Sequence, residues 1–197
     1  GALMIDLNTR IDVLVLGLFV GEAFVGIYSL AATVAEGIYQ ILVVIRNNLN
    51  PVLSKMLMNA KPEIVEQFKK YKFRLPAVSL LFTVLVLIGF SGLCWVLNYE
   101  NSVIIKSNFV LAILGLGIAL VSGRVPFDWI LILSDLPGYH TKYISIGCAA
   151  NLVLNFMFVP VWGIYGAAIA TGLAMNISML YYSYSIKRFL SIDLSYR

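Results

Sequence analysis

Five ionisable residues interrupt stretches that are otherwise apolar: Asp12, Glu36, Arg46, Arg124 and Asp128. Their types define two chemistries. A carboxylate held at depth can take up and release a proton or a small cation, and a guanidinium pairs bidentately with phosphate or carboxylate oxygens. In segments long enough to cross a bilayer, each such charge costs about 2.5–3.5 kcal/mol at the centre even on the lenient insertion scale. Five such costs facing lipid are not tolerable, so these side chains must pair or face a watery cavity.

Spacing sorts them. Ser29, Thr33, Glu36, Gln40 and Asn47 recur at three, four or sums of these, which makes one wet helix face. At about 1.5 Å of rise per residue, Glu36 falls near the midplane of its span, and Asp12, Arg46, Arg124 and Asp128 in the cytoplasmic half. Asn8 and Asp12 share a face. Arg124 and Asp128 are four apart and can pair within one helix. Arg46 lies roughly a quarter turn off the wet stripe and reads first as a side chain reaching to the inner headgroups. Asn151 and Asn155 read as interhelical hydrogen-bonding glue. The functional arrangement these residues suggest is a polar cavity open to the cytoplasm. Arg124, Arg46 and Gln40 would contact an anionic substrate there, and Glu36, Asp12 and Asp128 would serve ion coupling or line the cavity. The competing arrangement is a set of structural pairs.

Catalytic chemistry has little support. The single histidine, His140, falls in a loop with no acid–base partner in view and reads as solvated. Cys94 and Cys148 fall toward opposite faces and lack metal-ligand spacing. No nucleophile motif appears. The expectation is a protein that is not an enzyme, with no catalytic residue, no metal and no cofactor.

The elements that must hold these residues follow from composition. Sixty per cent of the 197 residues are apolar and 12% are charged. A soluble domain carries about a quarter charged residues, so the bilayer must be the solvent for most of this chain. Long continuous apolar runs, without period-two alternation, select helices over a closed barrel. The run from Tyr143 to Ile186 has no Asp, Glu, Lys or Arg and is broken only by Pro160-Val161-Trp162-Gly163, so it supplies two spans and a turn. The reading is an all-α integral membrane six-helix bundle with spans at about 3–20, 23–49, 76–97, 108–133, 141–159 and 164–186, the second ending before Pro51.

The net charge of +4 reads as topology rather than nucleic-acid binding. Lys55, Lys61, Lys69, Lys70, Lys72 and Arg74 follow the second span, Lys142 follows the fourth, and Lys187, Arg188 and Arg197 follow the sixth. The other side offers Glu22, Glu100 and Lys106. The positive-inside rule then puts both ends in the cytoplasm. Trp95, Tyr99, Trp162 and Tyr165 fall at the outer interface, and Tyr139, Tyr143, Tyr182 and Tyr184 toward the inner one. Segment 62–73 places Ile64, Val65, Phe68 and Tyr71 on one side, with Lys69, Lys70 and Arg74 nearby, and reads as an amphipathic helix on the cytoplasmic membrane surface. Gly115, Ala119 and Gly123, and Gly163, Ala167, Ala170 or Thr171, and Ala174, form small-residue faces for close helix packing. The chain opens at Gly1 almost directly into a span and looks like a fragment of a longer membrane protein.

Two motifs carry a resemblance. The first is Arg10–Tyr39, with acidic Asp12, then Val25-Gly26-Ile27-Tyr28, then Pro51 and Ser54 ahead of a basic loop. The second is Asn151, Asn155, Pro160, Gly163, Ile164, Gly166, Ala167, Ala168, Ala170 and Thr171. With these the chain resembles the C-terminal six-helix lobe of polysaccharide flippases of the multidrug/oligosaccharidyl-lipid/polysaccharide exporter superfamily. The resemblance implies one lobe of a two-lobe, inverted-V exporter in a bacterial or archaeal cell (inner) membrane, its N-terminal lobe absent here. It implies an undecaprenyl-pyrophosphate-linked glycan as substrate, moved from inner to outer leaflet by a proton or sodium gradient. Family members use cavity arginines for the phosphates, a role that carries to Arg124 and, second, to Arg46. Membrane lipids are the other expected partner, with no nucleic acid. The rivals are a multidrug or cation exporter of the same superfamily, with a more aromatic pocket around its acids, and a membrane-embedded glycan polymerase or acyltransferase. The latter would need a sizeable outer loop with catalytic groups. A non-transporting scaffold would leave the buried charges unexplained.

Overall fold

The computed structural model describes residues 10–59 and 61–194. Asn8, the start of the first expected span and Arg197 lie outside these residues. The architecture is all-α, with no strand among the described residues. Backbone groups in hydrocarbon have no water to bond, and a helix satisfies them within one segment. The elements are α1 (Ile11–Phe19), α2 (Glu22–Asn59), α3 (Lys61–Tyr71), α4 (Arg74–Val96), α5 (Asn101–Ser122), a 3-10 turn (Val125–Phe127), α6 (Ile130–Leu133) and α7 (Pro137–Leu190). Four stretches, Glu22–Met58, Pro62–Val96, Asn101–Ser122 and Pro137–Leu190, are long and apolar enough to cross a membrane. This is a multi-pass membrane protein.

α7 is a helical hairpin. Gly163 has φ 55° and ψ −131°, a conformation open to glycine because it has no Cβ. The contacts on either side are centred on the Trp162–Gly163 corner. Tyr143 meets Tyr182 with ring centroids 5.0 Å apart, Asn151 meets Thr171, and Gly166 lies against the Phe158 carbonyl. Gly21, Asn98 and Gly163 thus mark turns at one end of the bundle. The break after α5, the α3 helix and the residues after α7 lie at the other.

Three boundaries differ from the sequence expectation. α2 does not stop before Pro51 but runs through it to Asn59. An interior proline costs a backbone hydrogen bond. Here the extension buries Leu53 in the same apolar cluster as Ile64 and Phe68 of α3, which offsets that cost. At 1.5 Å per residue α2 is roughly 57 Å long, well beyond a ~30 Å hydrocarbon core.

The fourth span is Asn101–Ser122 rather than 108–133. Gly123 and Pro126 end the helix, and hydropathy does not register them because the following segment stays apolar. Val125, Phe127, Ile130 and Leu131 of that segment are fully buried. Its backbone is satisfied by a side chain: Tyr182 Oη donates to the Phe127 carbonyl at 2.8 Å and accepts from Leu131 N–H at 3.4 Å.

Segment 62–73 contains helix α3, but its apolar face meets protein rather than lipid. Ile64 and Phe68 are buried, and Phe68 packs edge-to-face on Phe127 at 5.7 Å. Glu63, Glu66, Lys69 and Lys70 are exposed.

Gly115 of the small-residue pattern abuts Thr83 of α4, and a backbone-to-backbone crossing sits at residues that pattern did not include. A Cβ on Gly117 would lie 2.8 Å from the Gly172 Cα, so α5 and the returning arm of α7 touch backbone to backbone. Ala119, Ala167, Ala170 and Ala174 are buried around it.

Candidate functional site

A cavity of about 430 Å³ runs between α2, α5, the broken segment and α7. It is lined at one level by Asp12, Tyr28, Asn151 and Thr171, and at another by Arg46, Asp128, Trp129, His140 and Tyr143. Glu36 and Gln40 of α2 lie between. Of the six residues assigned to a site from sequence, five line the cavity: Asp12, Glu36, Gln40, Arg46 and Asp128. Arg124 is not in the lining.

The first cluster surrounds Asp12, which is 5% exposed. Tyr28 Oη donates a hydrogen bond to Asp12 Oδ2. Thr171 Oγ1 lies 3.4 Å from that oxygen and 3.4 Å from Asn151 Oδ1. Val13 N–H donates to Asp12 Oδ1 at 2.8 Å. Asn155 Nδ2 donates to the Asn151 carbonyl at 2.8 Å and to its Oδ1 at 2.7 Å, leaving buried Asn155 Oδ1 without a partner among the described residues. Among the described residues no basic side chain lies within 4.0 Å of Asp12. The network joins α1, α2 and both arms of α7. Tyr28 and Thr171 lie roughly 10 Å along their helices from the Gly21 and Gly163 corners, at 1.5 Å per residue. Asp12 therefore sits toward the corner end, not in the half of the bundle that holds Arg46. Residues 151 and 155 hold more than glue, since they extend the polar surroundings of a buried acid.

The second cluster lies roughly 37 Å along α2 from the Gly21 corner. Arg46 Nη1 donates to Asp128 Oδ2 at 3.1 Å and Oδ1 at 3.4 Å. The side chains are 15% and 5% exposed. The guanidinium also lies over the Trp129 ring, 5.0 Å from its centroid. This overturns two expectations. Arg46 does not reach out to headgroups, because a buried carboxylate holds it inward. Asp128 does not pair with Arg124, because the helix both were placed on ends at Ser122. Arg124 instead directs Nε to the Leu194 carbonyl at 3.4 Å. His140 was expected in solvent. It is 9% exposed, with Trp129, Tyr143 and Tyr182 rings around it and, among the described residues, no partner for Nδ1. Its place in this cluster was unreadable from the sequence, because the residues that enclose it come from two other parts of the chain.

α2 also keeps an uncovered polar face. Thr33, Glu36, Gln40 and Asn47 are exposed although they sit on a helix apolar enough to cross a membrane. Tyr28, Tyr39 and Trp129 add an aromatic lining that the charge pattern alone did not reveal.

No protein-family model matches this chain. No solved structure matches it. Among curated proteins, it is similar to a probable low-salt glycan biosynthesis flippase, Agl15, of Haloferax volcanii. The two are 25% identical over 188 residues, which is 94% of this chain and 39% of that protein. The chain therefore spans about two fifths of that relative's length.

Proposed function

We propose that this chain is one lobe of an exporter that flips a lipid-linked glycan across the membrane, with a second, N-terminal lobe completing the cavity. The observation that carries this is a cavity inside an apolar bundle that carries Arg46 at one level and, at another, a buried acid with no basic side chain beside it among the described residues. The similarity to a protein named as a glycan biosynthesis flippase supports it. The exposed polar face of α2 supports the second lobe, because Thr33, Glu36 and Gln40 are costly against lipid and favourable against a shared water-filled hollow.

In this reading Arg46 meets the phosphate groups of an undecaprenyl-pyrophosphate carrier, and Gln40 adds an amide contact. Glu36 lines the path between the two levels. Asp12 is the coupling site. Its oxygens, with the Thr171 hydroxyl and the amide oxygens of Asn151 and Asn155, form a small oxygen-rich nest that accepts a proton or a sodium ion. Since α1, α2 and both arms of α7 meet there, the charge on Asp12 biases how they pack, which is how a gradient can favour one cavity opening over the other. The basic residues at the Arg46 end support a cytoplasmic position for that end. No bond is made or broken in this transport.

The aromatic and thioether lining, Tyr39, Trp129, Tyr143, Met175 and Met179, favours a second reading, an exporter of organic cations. One experiment separates them. The whole protein is reconstituted in proteoliposomes under a proton or sodium gradient. Leaflet exchange of a fluorescent lipid-linked oligosaccharide and efflux of ethidium are then measured side by side. Gradient-driven exchange without efflux is expected. Efflux without exchange would replace the flippase with the cation exporter.

A further inference from the structure

Arg46 is held in an unfinished way. One nitrogen, Nη1, makes both contacts to Asp128. Nε reaches only Asn47 Oδ1, at 3.5 Å. Nη2 has no hydrogen bond among the described residues. A guanidinium has five N–H donors in a planar fork, and a carboxylate or phosphate that engages it fully uses two parallel bonds. The ring of Trp129 fixes the plane of the guanidinium, and the side chain lines the cavity. The fork is thus in position, with its best geometry unspent. Asp128, at 3% exposure, is the most buried charged residue among the described residues, and it sits between the 3-10 turn and the short helix α6. A carboxylate so little exposed is held mainly by its cation.

We propose that Asp128 is an intramolecular competitor for Arg46, occupying in the empty protein the place that a substrate diphosphate takes. This rests on the flippase reading and adds a specificity element to it. A second anion beside a buried carboxylate is repelled, so only a ligand that binds the whole fork displaces Asp128. A diphosphate can do this with several oxygens. A monoanion such as acetate offers no more than Asp128 itself. The exchange therefore filters for diphosphates and releases a segment, 125–133, that packs on α2 and α7. The same chemistry could come from a lipid headgroup or from free pyrophosphate in water.

The test uses the whole protein in lipid nanodiscs and measures binding of inorganic pyrophosphate, of undecaprenyl pyrophosphate incorporated in the disc, and of acetate. Asp128→Asn is expected to bind one or both diphosphates about tenfold tighter than wild type and to leave acetate weak. Tightening by the lipid form alone identifies the headgroup as the ligand. Arg46→Gln/Asp128→Asn is expected to lose the gain. An Asp128→Asn protein that folds only with pyrophosphate present also supports the proposal, because the anion then replaces the carboxylate. Diphosphate binding unchanged or weaker in Asp128→Asn overturns it, and so does a variant that stays unfolded at saturating pyrophosphate. The flippase reading fails separately, by absence of glycan exchange in wild type.

Discussion

The two polar clusters of this protein bury a carboxylate by opposite means. Asp128 is held by a guanidinium, charge against charge. Asp12 is held by a phenol, a threonine hydroxyl and a backbone N–H, all neutral. An ion pair fixes the charge state of its members, since removing either charge strands the other in low dielectric. A carboxylate among neutral donors has no such partner and can gain or lose charge with only local rearrangement. The first arrangement suits a site that waits for an anion. The second suits a site whose own charge changes. The molecule keeps them at different depths on the same helix, α2, which contributes Tyr28 to one and Arg46 to the other.

The sharpest break of this contrast is Arg46→Gln. It strands Asp128 and is expected to cost about 3–5 kcal/mol of stability in detergent unfolding, the range for breaking a buried pair. A cost under about 1 kcal/mol would mean the pair is not insulated as its exposure indicates. Asp12→Asn is the matching change at the other cluster. It keeps the size and can still receive the Tyr28 hydroxyl, so the fold survives, but the charge cannot vary. Gradient-driven exchange is expected to fall roughly 10- to 100-fold, the size of a typical coupling energy between sites, while binding of undecaprenyl pyrophosphate is unchanged. Equal gradient dependence in wild type and variant would remove Asp12 from coupling.

Smaller changes refine the comparison. Tyr28→Phe takes the phenol donor from Asp12 and is expected to cost about 1.5–3 kcal/mol, as for hydrogen bonds to charged groups. If Asp12 already carries a proton in the resting protein, the loss drops toward 1 kcal/mol, so this variant reports its charge. Thr171→Val is expected to cost about 0.6 kcal/mol, the average for polar side-chain contacts between membrane helices. Lys187→Ala serves as the outer reference. Its pair with Asp193 is 2.8 Å long but 60% and 45% exposed, so its loss should cost under about 0.5 kcal/mol, and less in high salt.

Much of the scaffold was legible in the amino-acid order. The wet stripe of α2 was readable because Thr33, Glu36 and Gln40 repeat at helical spacing, and periodicity within one helix is a local property. The hairpin in α7 was readable because Pro160 and Gly163 are local breakers in an uncharged run. The end of α2 was not. Pro51 is a breaker by its own chemistry, and only the burial of Leu53 with Ile64 and Phe68 carries the helix past it. The end of α5 was hidden for the converse reason. Val125, Phe127, Ile130 and Leu131 are as apolar as a span, so composition could not tell a buried irregular segment from a helix.

The sequence alone determined the solvent, the helical class and which residues were too polar for their surroundings, because hydropathy and spacing are summed along the chain. Tertiary structure alone decided which of those residues meet. Asp128 lies four residues from Arg124 but pairs with Arg46, 82 positions away, and Asp12 reaches Thr171 across 159. Such partners are chosen by the crossing of helices, of which the touching backbones at Gly117 and Gly172 are one instance. A buried charge takes the nearest countercharge or donor in space, and nearness in space is a property of the packed bundle.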